Sequence, residues 1–208
     1  VAVGGILIPA LKEKGVTIGT HIKKCGDVLD SCFSDISRDI EYLESADFPV
    51  LDKKKGEEMV QKILDAKNSG DSIGGITESV IYGMPAGIGE PWFDSVESML
   101  SHALFSIGGI KGIEFGLGFG FADVLGSVAN DQMRISNQKV ITTTNNNGGI
   151  NGGISNGMPL IFSVAVKPTP SIFKEQRTVS LDAKENTTLK ISGRHDPMII
   201  HRAAPVVD

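Results

Sequence analysis

The stretch Asn147–Ile172, NGGINGGISNGMPLIFSVAVKPTPSI, joins a glycine-rich block to an apolar run and a Lys-Pro-Thr sequence. The run Leu160–Val166 contains β-branched residues and lies between turn-forming residues, which predicts a strand. A similar order occurs earlier, where Gly74-Gly75-Ile76 leads into an apolar segment and then into Pro85-Ala86-Gly87. This repetition suggests two related structural halves, each built on a strand.

Helical and strand patterns alternate along the rest of the chain. Apolar residues recur on one face of Gly56–Asn68, which is typical of an amphipathic helix. Asp94 is predicted to cap a further helix, with Glu97 as its capping-box partner. The predicted helices are Val3–Lys14, Gly56–Asn68 and Ser95–Phe105, and the predicted strands are Val16–Lys23, Ser72–Tyr82, Ile110–Phe115, Leu160–Val166, Thr178–Leu181 and Thr187–Ile191. The mixture predicts an α+β fold with mostly antiparallel strands.

Two segments show no clear pattern. Residues 26–55 mix charges with short apolar pairs, and we interpret them as a variable, insertion-like segment that carries a helical stretch. Residues 137–149 are polar and rich in Asn and Gly, which predicts a mobile loop.

The composition indicates a protein without a broad basic surface. The net charge is −5 and the isoelectric point is about 5.4, which disfavours nucleic acid and anionic membranes as partners. Val1–Ala10 lacks the basic start of a signal peptide, and no initiator Met is present. We therefore expect a cytoplasmic protein with Cys25 and Cys32 as free thiols rather than a disulfide, and a chain that is an engineered fragment, a processed product or an incomplete piece.

The glycine-rich block and the Lys-Pro-Thr sequence together have the chemistry of a phosphate site. Glycine turns expose backbone N–H groups, while Lys167, Thr169 and Ser171 add a positive charge and two hydroxyls. The alternative is a flexible glycine loop before an ordinary strand. No Walker-type motif is present to decide between the two.

A second candidate site is Ser192–Pro197, in which Arg194, His195 and Asp196 follow one another. A guanidinium can grip phosphate or carboxylate, and the imidazole and carboxylate can move protons. The alternative is a surface turn with solvated charges. The other histidines have no partner nearby in sequence, and no metal-ligand pattern is present.

From about Gly74 onward, the ordered series of motifs resembles the chorismate synthase family. The residues that carry the resemblance are Gly83–Asp94 (GMPAGIGEPWFD), Ser106–Gly116 (SIGGIKGIEFG), Gly126-Ser127 with Asn130-Asp131, Gly148–Gly157, Lys167–Ile172, and Gly193–Pro197 with Arg202-Ala203. Six blocks in this order are a specific signal.

The resemblance implies a reaction and a fold. Chorismate synthases eliminate phosphate from 5-enolpyruvylshikimate 3-phosphate to give chorismate, and they require reduced FMN. The implied fold is a β-α-β sandwich with helices between antiparallel sheets, assembled as a homotetramer. Residues 1–208 would form a single incomplete domain of that type.

The resemblance also implies roles for individual residues. Asp196 and Arg194 would be catalytic, with Arg194 at the junction of flavin and substrate and Asp196 assisting proton movement at the flavin N5. The implied FMN contacts are Gly108, Gly109, Gly152, Lys167, Thr169, Pro170, Ser171 and Arg194.

Three family motifs that supply both catalytic histidines and substrate-binding arginines do not occur in this sequence: Gly-Glu-Ser-His-Gly, an Arg-Pro-Gly-His type and a Gly-Gly-Arg-x-Ser-x-Arg-Glu type. We therefore predict negligible turnover for this chain alone. Two alternatives remain, a non-catalytic module that binds flavin or phosphate, and an oligomerisation piece that binds no ligand.

Overall fold

The computed structural model describes all residues 1–208. Its centre is a five-stranded antiparallel sheet, and three separate two-stranded sheets accompany it. The strands of the large sheet lie side by side in the order Val28–Leu29, Thr17–Cys25, Gly75–Tyr82, Leu160–Val166 and Ile110–Phe115. The helices are α1 Gly4–Glu13, α2 Ile36–Glu44, α3 Lys53–Asn68, α4 Val96–Phe105, α5 Gly126–Ala129 and α6 Ile200–Val207, with 3-10 turns at Trp92–Asp94 and Gly118–Asp123. The strands are β1 Thr17–Cys25, β2 Val28–Leu29, β3 Gly75–Tyr82, β4 Ile110–Phe115, β5 Met133–Ser136, β6 Lys139–Thr142, β7 Ile150–Asn151, β8 Ile154–Ser155, β9 Leu160–Val166, β10 Gln176–Ser180 and β11 Glu185–Leu189.

One face of the large sheet is apolar and carries helices. Leu160, Phe162 and Val164 of β9 are buried there, together with Val96 and Leu104 of α4. Full burial of such a side chain contributes about 1.5–3 kcal/mol. A second buried cluster joins β1, α3 and α6 through Ile22, Cys25, Met59, Met198 and Ile200. The α+β class is therefore confirmed. Of the expected β-α-β sandwich, these residues form one antiparallel sheet with helices packed on it.

The opposite face of the sheet holds a buried polar cluster around His21. His21 pairs with Glu78 across β1 and β3, and Glu78 pairs with Ser163 of β9. The Nδ1 atom of His21 lies 2.8 Å from Asp30 Oδ2, and its Nε2 atom lies 3.4 Å from Glu78 Oε1. Lys23 Nζ donates to Glu78 Oε2 at 2.6 Å. His21, for which no partner nearby in the sequence was identified, thus finds its partners through the fold, at positions 9 and 57 residues away.

Burial and hydrogen bonding compete in this cluster. Burial alone would lower the pKa of His21, but Asp30 and Glu78 raise it above its ordinary value of 6.5. Burial would raise the pKa of Asp30 and of Glu78, but contacts with His21 and further donors lower both. The cluster is thus an ion-paired group inside the fold.

Two local predictions need correction. Helix α3 begins at Lys53 rather than Gly56, because the Asp52 carboxylate caps it by accepting from the N–H groups of Lys54 and Lys55. Helix α4 is capped by Ser95, whose side chain accepts from Ser98 N, and not by Asp94. Asp94 lies in the preceding 3-10 turn.

The mobile loop predicted for residues 137–149 is also wrong over its first part. Strands β5 and β6 form a hairpin there, closed by Asn137 and Gln138 with φ angles of 48° and 63°. Two adjacent positive φ angles are the mark of a type I′ turn, whose twist matches that of a hairpin. Within residues 26–55, the expected helical stretch is α2.

No helix is both long enough and apolar enough to cross a membrane. Both cysteines are free, as expected, with Cys25 buried and Cys32 exposed. Burial raises the pKa of the Cys25 thiol to about 11.

Candidate functional site

Two of the predicted flavin segments lie side by side. Strands β4 and β9 pair Ile110 with Val166, and just beyond that pair the N–H group of Lys167 donates to Gly109 O at 2.9 Å. Gly109 has a φ angle of 95°, which places it in a region that favours glycine. The sheet register therefore brings the Gly108-Gly109 segment to the start of the Lys-Pro-Thr sequence.

A short connector, Gly70–Ile73, holds the Lys-Pro-Thr segment from the other side. Ser72 Oγ donates to Thr169 O at 2.6 Å, and Phe173 N donates to Gly70 O at 2.9 Å. Both contacts use backbone atoms of the segment, so they set its course without occupying its side chains. The hydroxyl oxygen of Thr169 is buried and has no hydrogen-bond partner.

The same connector holds the Ser192–Pro197 segment. Ile73 N donates to Pro197 O at 2.9 Å, and His195 Nε2 lies 2.8 Å from Asp71 O. Because a carbonyl oxygen can only accept, His195 must carry its proton on Nε2 at this contact. Its Nδ1 atom is buried without a hydrogen-bond partner. The connector thus brings the two candidate segments together, which sequence reasoning missed.

The predicted catalytic side chains lie at the surface of this arrangement. The Arg194 side chain is 84% exposed, with NH2 3.9 Å from Asp196 Oδ1. Asp196 accepts from both terminal nitrogens of Arg202, at 3.0 and 3.2 Å. The hydrogen bond from Arg202 lowers the pKa of Asp196 below its usual value, so the carboxylate is ionised at neutral pH. Arg202 is among the residues that carry the family resemblance, and its contact with Asp196 makes it a further member of the candidate site.

The glycine-rich block forms a separate, tightly held structure. Strands β7 and β8 make a small hairpin with Gly152 and Gly153 at its turn, where φ is 60° and 87°. Ser155 fastens the hairpin to the turn at residues 84–89, because its hydroxyl donates to Pro85 O at 2.6 Å and accepts from Ile88 N at 2.9 Å. The space in front of Gly152 is open, since a Cβ built there would meet no atom within 4 Å.

Gly152 is not in contact with the other predicted flavin residues. The carbonyl of the adjacent Gly153 accepts from Val96 N at the start of α4, whereas Gly108 follows the end of that helix. A helix of ten residues is about 15 Å long. The structure therefore joins Gly108, Gly109, Lys167 and Thr169 to the Arg194–Asp196 segment, and places Gly152 at the far end of α4.

The residues present fit a phosphate-bearing cofactor. Lys167 offers a free ammonium group, and the unpaired Thr169 hydroxyl offers a donor beside it. A Cβ on Gly108 would also meet nothing within 4 Å, which leaves room for a flat ligand against the backbone. No group of three or more His, Cys, Asp or Glu residues could hold a metal ion.

Comparisons with known proteins identify the family of this chain. A family model described as chorismate synthase matches residues 1–208. A chorismate synthase from Thermococcus kodakarensis is 43% identical over 95% of this chain and 54% of its own length. One from Methanothermobacter thermautotrophicus is 42% identical over 100% of this chain and 57% of its own. This chain thus spans little more than half the length of these relatives.

A solved structure shows the same fold. The crystal structure of a chorismate synthase superposes with a TM-score of 0.72 at 32% identity, over 80% of this chain and 54% of that one. Together with the family match over all 208 residues, this likeness decides the assignment. The chain belongs to the chorismate synthase family.

Proposed function

We propose that these residues form part of a cytoplasmic enzyme that converts 5-enolpyruvylshikimate 3-phosphate to chorismate by 1,4-elimination of phosphate, in the biosynthesis of aromatic amino acids. The observation that supports it most is that one connector, Gly70–Ile73, contacts both Thr169 of the Lys-Pro-Thr segment and His195 of the Arg194–Asp196 segment. Reduced FMN, when bound, would lend electron density to the departing phosphate.

The side chains of this chain have distinct tasks in that proposal. The Lys167 ammonium and the hydroxyls of Thr169 and Ser171 hold the phosphate end of the cofactor, because they can replace its hydration. Arg194 extends into solvent and is free to bind an anion where cofactor and substrate meet. Asp196, kept ionised by Arg202, can accept or return a proton at the flavin ring.

We further propose that the 208-residue chain has negligible turnover by itself. The histidine and arginine motifs of the family are not among its residues. General acid–base catalysis contributes typically 10²–10⁴-fold, so their absence removes most of the rate. Exposed aromatic residues such as Trp92, Phe93 and Phe119 support a homo-oligomer, and light scattering would measure its size.

The test is a titration of the purified chain with FMN, oxidised and dithionite-reduced, with and without the substrate. We expect saturable binding that tightens with substrate and weakens at least tenfold in Lys167→Ala and Arg194→Ala. Lys139→Ala and Arg177→Ala, which change exposed cations elsewhere, are the matched controls. Absence of binding by the folded chain in either redox state would contradict the flavin site, and measurable turnover would contradict the predicted inactivity.

A further inference from the structure

Asp131 is a buried carboxylate with no role in the site described so far. It is only 7% exposed and belongs to neither apolar cluster of the fold. An ionised side chain inside a protein is costly unless hydrogen bonds replace its hydration. The groups that donate hydrogen bonds to Asp131 therefore indicate its role in the fold.

All of these donors come from one short segment, Thr144–Asn147. Asp131 Oδ1 accepts from Thr144 Oγ1 at 2.7 Å and from Asn146 N at 2.7 Å. Its Oδ2 accepts from Asn147 N and from Asn147 Nδ2, each at 2.8 Å. Asn146 Nδ2 donates to Ala129 O at 3.1 Å, so hydrogen bonds run in both directions between residues 129–131 and residues 144–147.

That segment leads directly into the glycine-rich block. Asn146 O accepts from Leu117 N at 2.7 Å, and Gly148 O accepts from Ile161 N at 3.1 Å, so the backbone is held between β4 and β9. Gly148 and Gly149 then turn with φ angles of 62° and 80° into the β7–β8 hairpin that carries Gly152. Asp131 thus determines where the chain enters the block.

We propose that Asp131 is a positioning residue that holds the Gly148–Gly157 block in the conformation that receives the flavin. The inference rests on the proposed function for its ligand, and on the hydrogen bonds alone for the ordering of the block. Asp131 itself touches no predicted cofactor or substrate atom, since its oxygens are occupied by four donors within the protein.

Asp131→Asn is the decisive variant, and Asp30→Asn is its matched control. An amide of the same shape turns one oxygen into a donor, so it loses the hydrogen bonds on that side. Asp30 is likewise buried and accepts from the backbone of Leu51 and Asp52, but it follows β2 and has no contact with residues 144–157. Both substitutions should lower the thermal midpoint, which makes them comparable in stability.

Two measurements separate positioning from stability. In Asp131→Asn, hydrogen–deuterium exchange of residues 144–157 should quicken about tenfold or more. The dissociation constant of reduced FMN should rise by about the same factor, and the absorbance change of bound flavin should weaken. In Asp30→Asn, exchange in residues 144–157 and flavin affinity should match the wild type.

The remaining outcomes are also decisive. Unchanged exchange in residues 144–157 of Asp131→Asn, or faster exchange with unaltered flavin affinity, would overturn the proposal. If the wild-type chain binds no FMN, the proposed function fails, and exchange alone then decides whether Asp131 orders the block. If Asp131→Asn does not fold, Thr144→Val removes a single donor, and a smaller change confined to the same residues is expected.

Discussion

Asp131 and Asp196 each secure one half of the candidate site, but in different ways. Asp131 is buried and receives amide and hydroxyl donors from a single segment. Asp196 has a side chain that is 31% exposed and pairs with Arg202. Asp131 holds the backbone of Thr144–Asn147 in place without any ligand. Asp196 holds the charge of Arg202 and leaves the Arg194–Asp196 segment exposed.

The largest effect is expected from a glycine substitution in the half of the site that Asp131 secures, the glycine-rich block, which we call the rigid half. The half around Asp196 is called the exposed half. A Cβ on Gly149 would lie 2.5 Å from Pro159 O, and its φ angle of 80° is already unfavourable for other residues. Gly149→Ala should therefore cost about 3 kcal/mol in the free energy of unfolding. Denaturant unfolding, monitored by circular dichroism, measures the loss.

Gly193→Ala is the counterpart in the exposed half. Gly193 has a φ angle of 123°, but a Cβ there would meet nothing within 4 Å. Its cost should be about 1 kcal/mol or less. Equal losses in the two alanine variants would show that the two halves do not differ in rigidity.

The next effect tests whether the glycine-rich block takes part in flavin binding at all. A methyl group on Gly152 would enter open space, so the loss of stability should be about 1 kcal/mol, the ordinary cost of its positive φ. If the flavin lies against this turn, the dissociation constant should rise about tenfold or more, equivalent to ~1.4 kcal/mol.

Gly15→Ala controls for the backbone cost, because Gly15 also has a positive φ angle, 82°, and open space, at the turn between α1 and β1. Flavin affinity should be unaltered in that variant. Equal affinities in Gly152→Ala and Gly15→Ala would restrict the flavin site to the half around Lys167.

The sequence predicted the regular elements better than the contacts between them. Strands β1, β3, β4 and β9 and helices α1, α3 and α4 were predicted within a few residues, because each carries an apolar periodicity of its own. The β5–β6 hairpin was missed because its strands are four residues long and Asn137-Gln138 lacks the usual glycine turn signal.

The sequence named candidate residues for the site but did not predict how the segments that carry them assemble. Lys167, Arg194 and Asp196 carry charges whose chemistry is visible in the sequence. The connector Gly70–Ile73 acts largely through backbone atoms and reaches partners about a hundred residues away, so no local pattern marks it. The role of Asp131 was missed for a related reason, since its donors depend on how the chain folds back.

A smaller effect is expected from the ion pair in the exposed half. Arg202 holds the pKa of Asp196 below its ordinary value of 3.8, so protonation weakens the pair only below that pH. In Arg202→Gln, the Asp196 carboxylate should become protonated at a higher pH than in the wild type. Flavin affinity at neutral pH should fall about threefold. Flavin titrations between about pH 2.5 and 7, a range that includes the ordinary value of 3.8, compare the profiles, and coincident curves would show that Arg202 does not influence Asp196.

The smallest effect concerns a third carboxylate cluster, in which the partner itself can titrate. Amides and a hydroxyl hold Asp131, and a guanidinium holds Asp196. Asp30 and Glu78 are instead held by His21, and Lys23 also binds Glu78. Because the pKa of His21 is raised above 6.5, its contribution to stability is fully present below pH 6.5 and is lost as the pH rises through the folded-state value. Asp30 and Glu78 have lowered pKa values, so their contribution is lost only under more acidic conditions.

Among the three clusters, only that of His21 should therefore make stability depend on pH between 6.5 and 8. His21→Gln keeps a polar side chain at this position but cannot titrate. The difference in Tm between wild type and His21→Gln should shrink as the pH rises above 6.5, by about 2 °C if the lost interaction is worth ~1 kcal/mol. Asp131→Asn, whose partners do not titrate, should differ from wild type by a constant amount over the same range. Parallel profiles for both variants would mean that His21 is neutral in the folded protein, and the three carboxylate clusters would then respond to pH alike.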